Sequence, residues 1–331
     1  MTIARQFVNR PEDLVAEALE GLVIAHPAVD VDLDRRIVTR RTPATGKVAV
    51  VSGGGSGHEP LHAGCVGRGM LDAAVAGAVF ASPTATQIHD ATRRVDSGEG
   101  VLHIVKNYTG DVINFALAAD FAADDRIEVE TVLVDDDLAT DQDHGPGRRG
   151  TAAVIPVEKM CGAAAERGMP LAELAVLGRR IVSRSRSLGM ALAAGTRPGT
   201  AAPQFELAAH DVEFGVGIHG ERGRDVVGFR PLDDLIDRLA EPLLRAVADD
   251  RLLVIVNGLG ATTQLELYAA ARRASTVLAA HGRLAERWLV GSYVTSLDMR
   301  GISLTLTAVD DQLLALWDAP VHTPAFSWGG A

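Results

Sequence analysis

The chain has 331 residues, which is long enough for two domains that each bury a core. Hydrophobic residues make up 47% of it and charged residues 23%, so wholesale disorder, a collagen-like chain and a coiled coil are excluded as classes. The formal net charge is −11 and the acidic residues are spread along the chain, so the sequence offers no basic face to a nucleic acid.

Neither membrane attachment nor secretion is indicated. The longest apolar run, residues 73–81, has nine residues, whereas a membrane span needs about 18. The first 14 residues lack the apolar core of a signal peptide, and the two cysteines, Cys65 and Cys161, form no disulfide or zinc-binding pattern. We therefore expect no membrane partner, a cytoplasmic location, and two thiols that pack as small buried hydrophobic groups.

The first half of the chain alternates helices with strands. An opening helix is predicted over residues 14–24, after Pro11, and INFALAADFA predicts another. The first long strand leads into GGGSGHEP, where we expect a glycine turn and then the start of a helix at LHAGCVGRGM. Strands that alternate with helices predict a parallel sheet covered on both faces. The predicted strands of this half are residues 47–52, 100–105 and 129–134.

A domain boundary is predicted near residue 186. Residues 157–182 predict two helices separated near Gly168–Pro170, and the composition then turns to serine and arginine. We expect one domain over residues 1–186 and a second over 187–331, where a helix at 232–247 precedes an apolar strand at 252–256. Each domain is expected to be α/β, with a largely parallel or mixed sheet flanked by helices.

Glycine is frequent, with 34 residues, and the densest run is Gly53–Pro60, GGGSGHEP. Glycines at the end of a strand let backbone N–H groups converge on a ligand. A dinucleotide fingerprint would need glycine where His58 or Pro60 stands, and a phosphate-binding P-loop would need lysine after Gly57. We interpret the run as a cradle for a small polar substrate with the His58 imidazole at its edge, the alternative being a structural turn with a surface histidine.

Two further segments place reactive side chains beside glycine. KNYTGD, Lys106–Asp111, follows a predicted strand; with a kink expected at Gly110, its lysine, asparagine, threonine and aspartate could together position a hydroxyl and take its proton. The alternative is a solvated turn. GVGIHGE, Gly215–Glu221, presents His219 among glycines, where its ring could face a ligand; the alternative is a satisfied core or edge histidine.

Other candidates are weaker. Asp135, Asp136 and Asp137 could hold magnesium, but an acidic strand end that faces solvent is the favoured interpretation. His62 follows His58 by four residues, yet no third ligand for a zinc ion is visible. The remaining candidate, His322, is interpreted as structural. We expect no metal ion on this chain.

Eight motifs together resemble the dihydroxyacetone kinase family, and specifically its dihydroxyacetone-binding K subunit. They follow the family's order and cover almost the whole chain. Relatives often have two asparagines where this chain has Asn257 and Gly258, and some carry a long insertion that is absent between Asp249 and Leu252. The motifs are VVSGGGSGHEPLHAG, VKNYTGD, VDDD, GPGRRGTAAV, EFGVGIHGE, VNGLGAT, SLDMRGIS and LWDAPVHTPAFSWG.

The resemblance implies roles for particular residues. Nε2 of a neutral His219 would attack the ketone carbonyl and hold the substrate as a covalent hemiaminal, which selects short ketones and aldehydes over glycerol. His58 and Asp111 would share the proton transfers of the substrate hydroxyls. The residues implied to orient the substrate are Gly55, Ser56, Gly57 and Lys106.

The resemblance also implies partners. This sequence shows neither a P-loop nor a helical nucleotide domain, so a separate L subunit is expected to hold ADP or ATP with magnesium, often recharged from phosphoenolpyruvate by a phosphotransferase-system protein. The chain would then be a glycerone kinase subunit, a phosphotransferase with an alcohol acceptor, that binds no cofactor itself and forms a homodimer. The alternatives are a regulator that senses dihydroxyacetone without transferring phosphate, and a kinase subunit for another ketose such as erythrulose.

Overall fold

The computed structural model describes residues 6–140, 147–200 and 202–329. Gly145 and Pro146, which open the motif GPGRRGTAAV, lie outside these ranges. The secondary-structure elements, in chain order, are α1 Leu14–Ala25, β1 Val29–Asp32, β2 Ile37–Arg40, β3 Ala49–Ser56, β4 Ala73–Val79, α2 Ala85–Val95, β5 Val101–Lys106, α3 Thr109–Asp124, β6 Val129–Val134, α4 Val154–Glu166, α5 Leu171–Ser183, β7 Ser185–Ala193, β8 Asp211–Phe214, β9 Asp225–Gly228, α6 Leu232–Ala246, β10 Arg251–Gly258, α7 Gln264–Ala280, β11 Leu284–Gly291, β12 Arg300–Ala308, α8 Asp311–Trp317, β13 Val321–His322 and β14 Ser327–Trp328.

The chain divides into two compact units, and each is discontinuous in sequence. The first unit contains Val8–Val134, Val154–Ile181 and Asp311–Ala331, and the second contains Gln6 and Phe7, Asp135–Ala153 and Val182–Asp310. The predicted single boundary after residue 186 differs from this division. Residues 135–153 belong with the second unit because Ser187 on β7 donates its N–H to the Asp136 carbonyl. The last segment belongs with the first unit because α8 packs against α4.

Each unit is built on one mixed sheet of six strands, which confirms the predicted α/β class. In the first unit the strand order is β1-β2-β4-β3-β5-β6, and the four strands β3 to β6 are parallel. In the second unit the order is β11-β10-β12-β7-β8-β9, where β10 and β11 are parallel and the other neighbours are antiparallel. Helices cover both sheets and bury their apolar strands.

Local sequence explains where the helices begin and what they bury. In the second unit, α7 starts at a capping box in which Thr263 and Glu266 each accept a hydrogen bond from the other's backbone N–H. The amphipathic α6 buries Leu239 and Leu243 in a core shared with β10. In the first unit, Phe115 of α3 packs into a core with valines of β3 and β5. Within the described ranges, no helix is long and apolar enough to cross a membrane.

The region after β3 differs from its prediction. The strand continues through the glycines to Ser56, so Gly53–Gly55 do not form a turn. The helix expected at LHAGCVGRGM is absent, and only a short 3-10 turn forms at Ala63–Cys65. The chain does not continue as a helix because the Gly67 N–H donates to the Leu71 carbonyl and the Leu71 N–H donates to the Cys65 carbonyl, which turns the chain back into β4.

Cys65 and Cys161 are free thiols and both are buried, as predicted. Burial raises the pKa of each thiol above its ordinary value. Both side chains therefore act as apolar packing groups and not as nucleophiles.

Candidate active site

The glycine-rich end of β3 lets polar side chains from other elements approach the backbone. A Cβ atom added to Gly54 would lie 2.6 Å from Lys106 Nζ and 3.6 Å from both Asp111 Oδ2 and His62 Nε2. Only glycine leaves this space open. Three polar atoms therefore surround one point above the strand.

Lys106 and Asp111 are both buried, which contradicts the alternative of a solvated turn. Lys106 is the last residue of β5, and Asp111 lies in the first turn of α3, where a helix N-terminus favours a carboxylate. Gly110 belongs to that helix, so the expected kink before Asp111 is wrong. Burial lowers the pKa of Lys106, while the charges of Asp111 and Glu158 oppose this shift.

One oxygen of Asp111 remains available as an acceptor. Asp111 Oδ1 is buried and accepts no hydrogen bond from any described residue. Buried polar atoms are nearly always satisfied, so an orphaned carboxylate oxygen beside an ammonium group marks a position that a polar ligand can fill. This observation supports the interpretation of the segment as a site for a hydroxyl-bearing substrate.

His58 is fully buried, which contradicts the alternative of a surface histidine. Its ring stacks on Phe80 with centroids 5.0 Å apart. The neighbouring groups are engaged within the protein, since Ser56 Oγ donates to the Gly77 carbonyl at 2.8 Å and the Gly57 N–H donates to the Glu59 carboxylate at 3.1 Å. The His58 ring is therefore fixed by packing beside the glycine strand.

The roles of two residues of this site, His62 and Glu158, were not predicted from the sequence. His62 Nε2 lies 2.6 Å from Lys106 Nζ, and His62 Nδ1 lies 2.6 Å from Glu158 Oε1. Glu158 lies on α4, 96 residues away in sequence, and is fully buried. The available signal was a glutamate and a lysine inside an otherwise apolar helical tract, PVEKMCGAAA.

His219 belongs to the second unit, in the loop that follows β8. Gly215 and Gly220 have φ values of +83° and +80°, which explains why glycine flanks the histidine. The loop is held at both backbone groups of His219, because Gln204 donates to its carbonyl at 2.7 Å and its N–H donates to Glu221 at 2.9 Å. The ring is partly exposed, with 16% of the side chain accessible, so it is not a core histidine.

The Glu221 carboxylate also faces the His219 ring. Glu221 Oε1 lies 3.5 Å from His219 Nδ1. Burial raises the pKa of Glu221, but the hydrogen bond and charge of His219 and the charge of Arg149 outweigh it, so the pKa falls below its usual value. A carboxylate beside Nδ1 favours the tautomer that carries its proton there, which leaves the Nε2 lone pair available.

The aspartate triplet is a structural anchor. Asp136 and Asp137 are buried, so the expectation of a solvent-facing strand end is wrong for both. Asp136 accepts hydrogen bonds from the Thr151 N–H and hydroxyl at 2.6 and 2.7 Å, and Asp137 pairs with Arg149 at 2.7 Å. These bonds fasten residues 147–153 to the triplet. Among the described residues, no group of three histidine, cysteine or acidic side chains is arranged to hold a metal ion.

His322 takes part in the fold through its backbone. Its N–H donates to the Arg68 carbonyl at 2.9 Å, and its side chain is exposed. These contacts lie at the short pairing of β13 with β14.

Comparison with known proteins identifies the class. A family model described as the Dak1 domain matches residues 20–325. The chain is 45% identical to the PEP-dependent dihydroxyacetone kinase, dihydroxyacetone-binding subunit DhaK of Escherichia coli (strain K12), over 98% of this chain and 99% of that one. It is also 45% identical to the subunit DhaK of PTS-dependent dihydroxyacetone kinase 1 from Listeria innocua, over 97% of this chain and all of that one.

The chain therefore belongs to the dihydroxyacetone kinase family. Within that family, these full-length relatives are dihydroxyacetone-binding subunits, as the motifs predicted.

Solved structures agree with this membership. The dihydroxyacetone kinase of C. freundii in complex with AMP-PNP and Mg²⁺ superposes with a TM-score of 0.90 and 37% identity, over 98% of this chain and 61% of that one. The dihydroxyacetone kinase operon co-activator Dha-DhaQ superposes equally well, with a TM-score of 0.90 and 35% identity over 94% of this chain and 97% of that one. The fold is thus common to kinases and to a co-activator.

Proposed function

We propose that the chain is the substrate-binding subunit of a dihydroxyacetone kinase. The observation that carries this proposal is the near-complete alignment, at 45% identity, with subunits named as dihydroxyacetone-binding. The buried polar group around Gly54 and the partly exposed His219 supply the chemistry that such a subunit needs.

Binding would proceed through a covalent bond to His219. The Nε2 lone pair attacks the ketone carbon, the carbonyl π electrons move to oxygen, and the oxygen takes up a proton. The proton on the oxygen would come from water, and the ring would lose its Nδ1 proton to water by way of Glu221, so the number of protons is unchanged and the product is a neutral hemiaminal. Because glycerol has no carbonyl group, this chemistry rejects it whatever the pocket size.

Phosphoryl transfer would then use groups of the first unit. Asp111 and His58 would share the proton transfer from the attacking hydroxyl, while Lys106 and the Gly55 backbone orient the substrate oxygens, since the Ser56 hydroxyl and the Gly57 N–H are already engaged within the protein. The donor would be ATP with magnesium on a separate L subunit; ATP would give up its γ-phosphoryl group and leave ADP, which would ultimately be recharged to ATP from phosphoenolpyruvate. This chain then supplies orientation and proton transfer, and two copies would form a homodimer.

The direct test is phosphate transfer to dihydroxyacetone in the presence of an L subunit and its phosphate donor, followed by ³¹P NMR. We expect His219→Ala to lose the preference for dihydroxyacetone over glycerol. Asp111→Asn should lower kcat by about 10²- to 10⁴-fold, because it removes general-base catalysis, while dihydroxyacetone binding by calorimetry persists. The matched control is His210→Ala, an exposed histidine of the same unit as His219, which should behave as wild type.

Two outcomes would contradict the assigned roles. Unchanged selectivity in His219→Ala would remove the covalent step, and unchanged turnover in Asp111→Asn would remove its role as a base. A crystal structure with dihydroxyacetone in which no density joins the ligand to His219 would contradict the hemiaminal directly.

A second candidate is a regulator that binds dihydroxyacetone without transferring phosphate. The superposition on a kinase operon co-activator is the observation that favours it. Binding of dihydroxyacetone by calorimetry, with no phosphate transfer when an L subunit and its donor are added, would identify this function.

A third candidate follows from 38% identity to the L-erythrulose 1-kinase of Mycolicibacterium smegmatis, of which this chain covers 58%. Comparing kcat/KM for erythrulose and dihydroxyacetone separates the two substrates.

A further inference from the structure

We propose that His62 and Glu158 are positioning residues that hold Lys106 for catalysis, through a hydrogen-bonded relay running from Glu158 to His62 to Lys106. This inference rests on the proposed kinase function and assigns two residues to it. The relay joins three elements of the first unit: α4, the loop after β3, and the end of β5.

The three side chains are buried together at short distances. Lys106 and Glu158 have no exposed surface, and His62 has 6%. Both links of the relay measure 2.6 Å. Burying ionisable groups is unfavourable compared with apolar packing, so a fold that needed only stability would not place three of them here. The cluster therefore indicates a chemical requirement.

The neighbouring hydroxyl determines which His62 nitrogen carries the proton. Ser52 Oγ donates to the Ile104 carbonyl at 2.8 Å, so toward His62 Nδ1, 3.1 Å away, it acts as an acceptor. Glu158 Oε1 is an acceptor at the same nitrogen. Two acceptors require an N–H, so Nδ1 is protonated and Nε2 accepts from the Lys106 ammonium.

Burial and the Lys106 charge keep His62 neutral. Burial lowers the pKa of His62 most strongly and the Lys106 charge lowers it further, against the opposing effect of Glu158. A neutral ring between an ammonium group and a carboxylate is polarised along the whole relay. One Lys106 N–H is thereby fixed on His62, and the remaining N–H groups are left for the space above Gly54.

The relay also limits direct pairing of Lys106 with Asp111. Lysine has a flexible side chain and three donors, and Asp111 is the other acidic group that acts on it. Without the His62 acceptor, the ammonium group would turn to the Asp111 carboxylate and make that base weaker. Removing the relay should therefore slow the transfer step through its effect on Lys106 and Asp111.

Two amide variants separate the two links. In His62→Gln, the amide oxygen reaches the position of Nε2 and still accepts from Lys106. In His62→Asn, the amide reaches only the position of Nδ1 and keeps the contact with Glu158. We expect His62→Asn to lower kcat by about 10- to 100-fold, the effect of losing a hydrogen bond to a charged group, while His62→Gln has an intermediate kcat because it keeps the link to Lys106 and loses the link to Glu158.

Coupling to Lys106 distinguishes positioning from a general structural role. In a Lys106→Met background, His62→Asn should change kcat by less than about twofold, because its effect acts through the lysine. The matched control is His103→Asn, at a fully buried histidine of β5 that is hydrogen-bonded to Thr92 at 2.9 Å; this variant should keep the wild-type kcat. Circular dichroism and thermal unfolding verify that each variant is folded at the assay temperature.

The proposal is overturned if His62→Asn matches wild type, if it matches His62→Gln, or if its effect persists in Lys106→Met. A measurement without the partner keeps the test independent of the kinase function. The ¹⁵N shifts of the His62 ring should show a protonated Nδ1 and an acceptor Nε2 that shifts in Lys106→Met. The opposite tautomer would contradict the relay, whereas a wild-type protein that shows this tautomer but transfers no phosphate would contradict only the proposed function.

Discussion

His103 shows how burial alone can make a single residue sensitive to pH. It lies in the middle of β5 with no exposed surface, and its ring packs edge-on against Phe115 with centroids 5.3 Å apart. Burial lowers the pKa of His103 to about 3. In the unfolded chain a histidine has a pKa of about 6.5, so the unfolded state binds the proton first as the pH falls.

The free energy of unfolding should therefore decrease on acidification because of His103. The folded pKa is lowered, so the stabilisation is complete above pH 6.5 and is lost as the pH falls toward 3. Between pH 7 and pH 5, His103 should lower the free energy of unfolding by about 2 kcal/mol. Urea unfolding at both pH values measures it, and His103→Asn should show a decrease smaller by that amount. An identical pH dependence in the two proteins would contradict the prediction.

Helices α1 and α4 show that the environment of an element decides what a glycine does. Alanine is a better helix former than glycine by about 1 kcal/mol, so propensity alone predicts that replacing either Gly21 or Gly162 would be stabilising. A Cβ at Gly21 would meet no atom within 4 Å. A Cβ at Gly162 would lie 2.3 Å from the Met70 carbonyl oxygen and 2.4 Å from its Cα. The close approach of α4 to the loop before β4 therefore requires glycine.

The two substitutions should have effects of opposite sign. Gly21→Ala should stabilise the protein by about 0.5–1 kcal/mol, and Gly162→Ala should destabilise it by about 1–3 kcal/mol because the loop at Met70 must shift. Thermal unfolding of the two single variants is the measurement, and each serves as the control for the other. Stabilisation by Gly162→Ala would show that α4 does not approach Met70 as described.

The whole molecule is organised as two discontinuous units, and this has consequences for cutting the chain. Lys159 on α4 donates to the Leu316 carbonyl at 2.9 Å, which ties the last segment to the first unit. Asp136 accepts a hydrogen bond from the Ser187 hydroxyl, which connects the segment 135–153 to the rest of the second unit. A cut near residue 186 severs both connections and also splits β7.

We therefore expect neither fragment, 1–186 or 187–331, to unfold cooperatively on its own. The first lacks α8, which packs on α4, and the second lacks the buried Asp136 and the start of β7. Circular dichroism melts and amide proton dispersion, compared with the intact chain, test this. A sharp melt from either fragment would show that the sequence boundary defines an autonomous domain.

The α/β class, several helices and four of the long strands could be predicted from the amino-acid sequence, because apolar periodicity and glycine are local signals. The sequence also singled out His58, Lys106, Asp111 and His219, since each stands in a short motif next to a strand or among glycines. Those signals need no knowledge of which strands are neighbours.

Which side chains meet could not be predicted from the sequence and follows from the packing of the elements. The pairing of His62 with Glu158 and Lys106 depends on the sheet order and on α4 packing beside β3 and β5, and these contacts join residues far apart in sequence. Asp136 is a second example. The local pattern predicts that it faces solvent, but it is buried and accepts a hydrogen bond from Ser187, 51 residues away in sequence. Local periodicity fixes the elements, whereas burial and hydrogen-bond partners arise only when those elements pack.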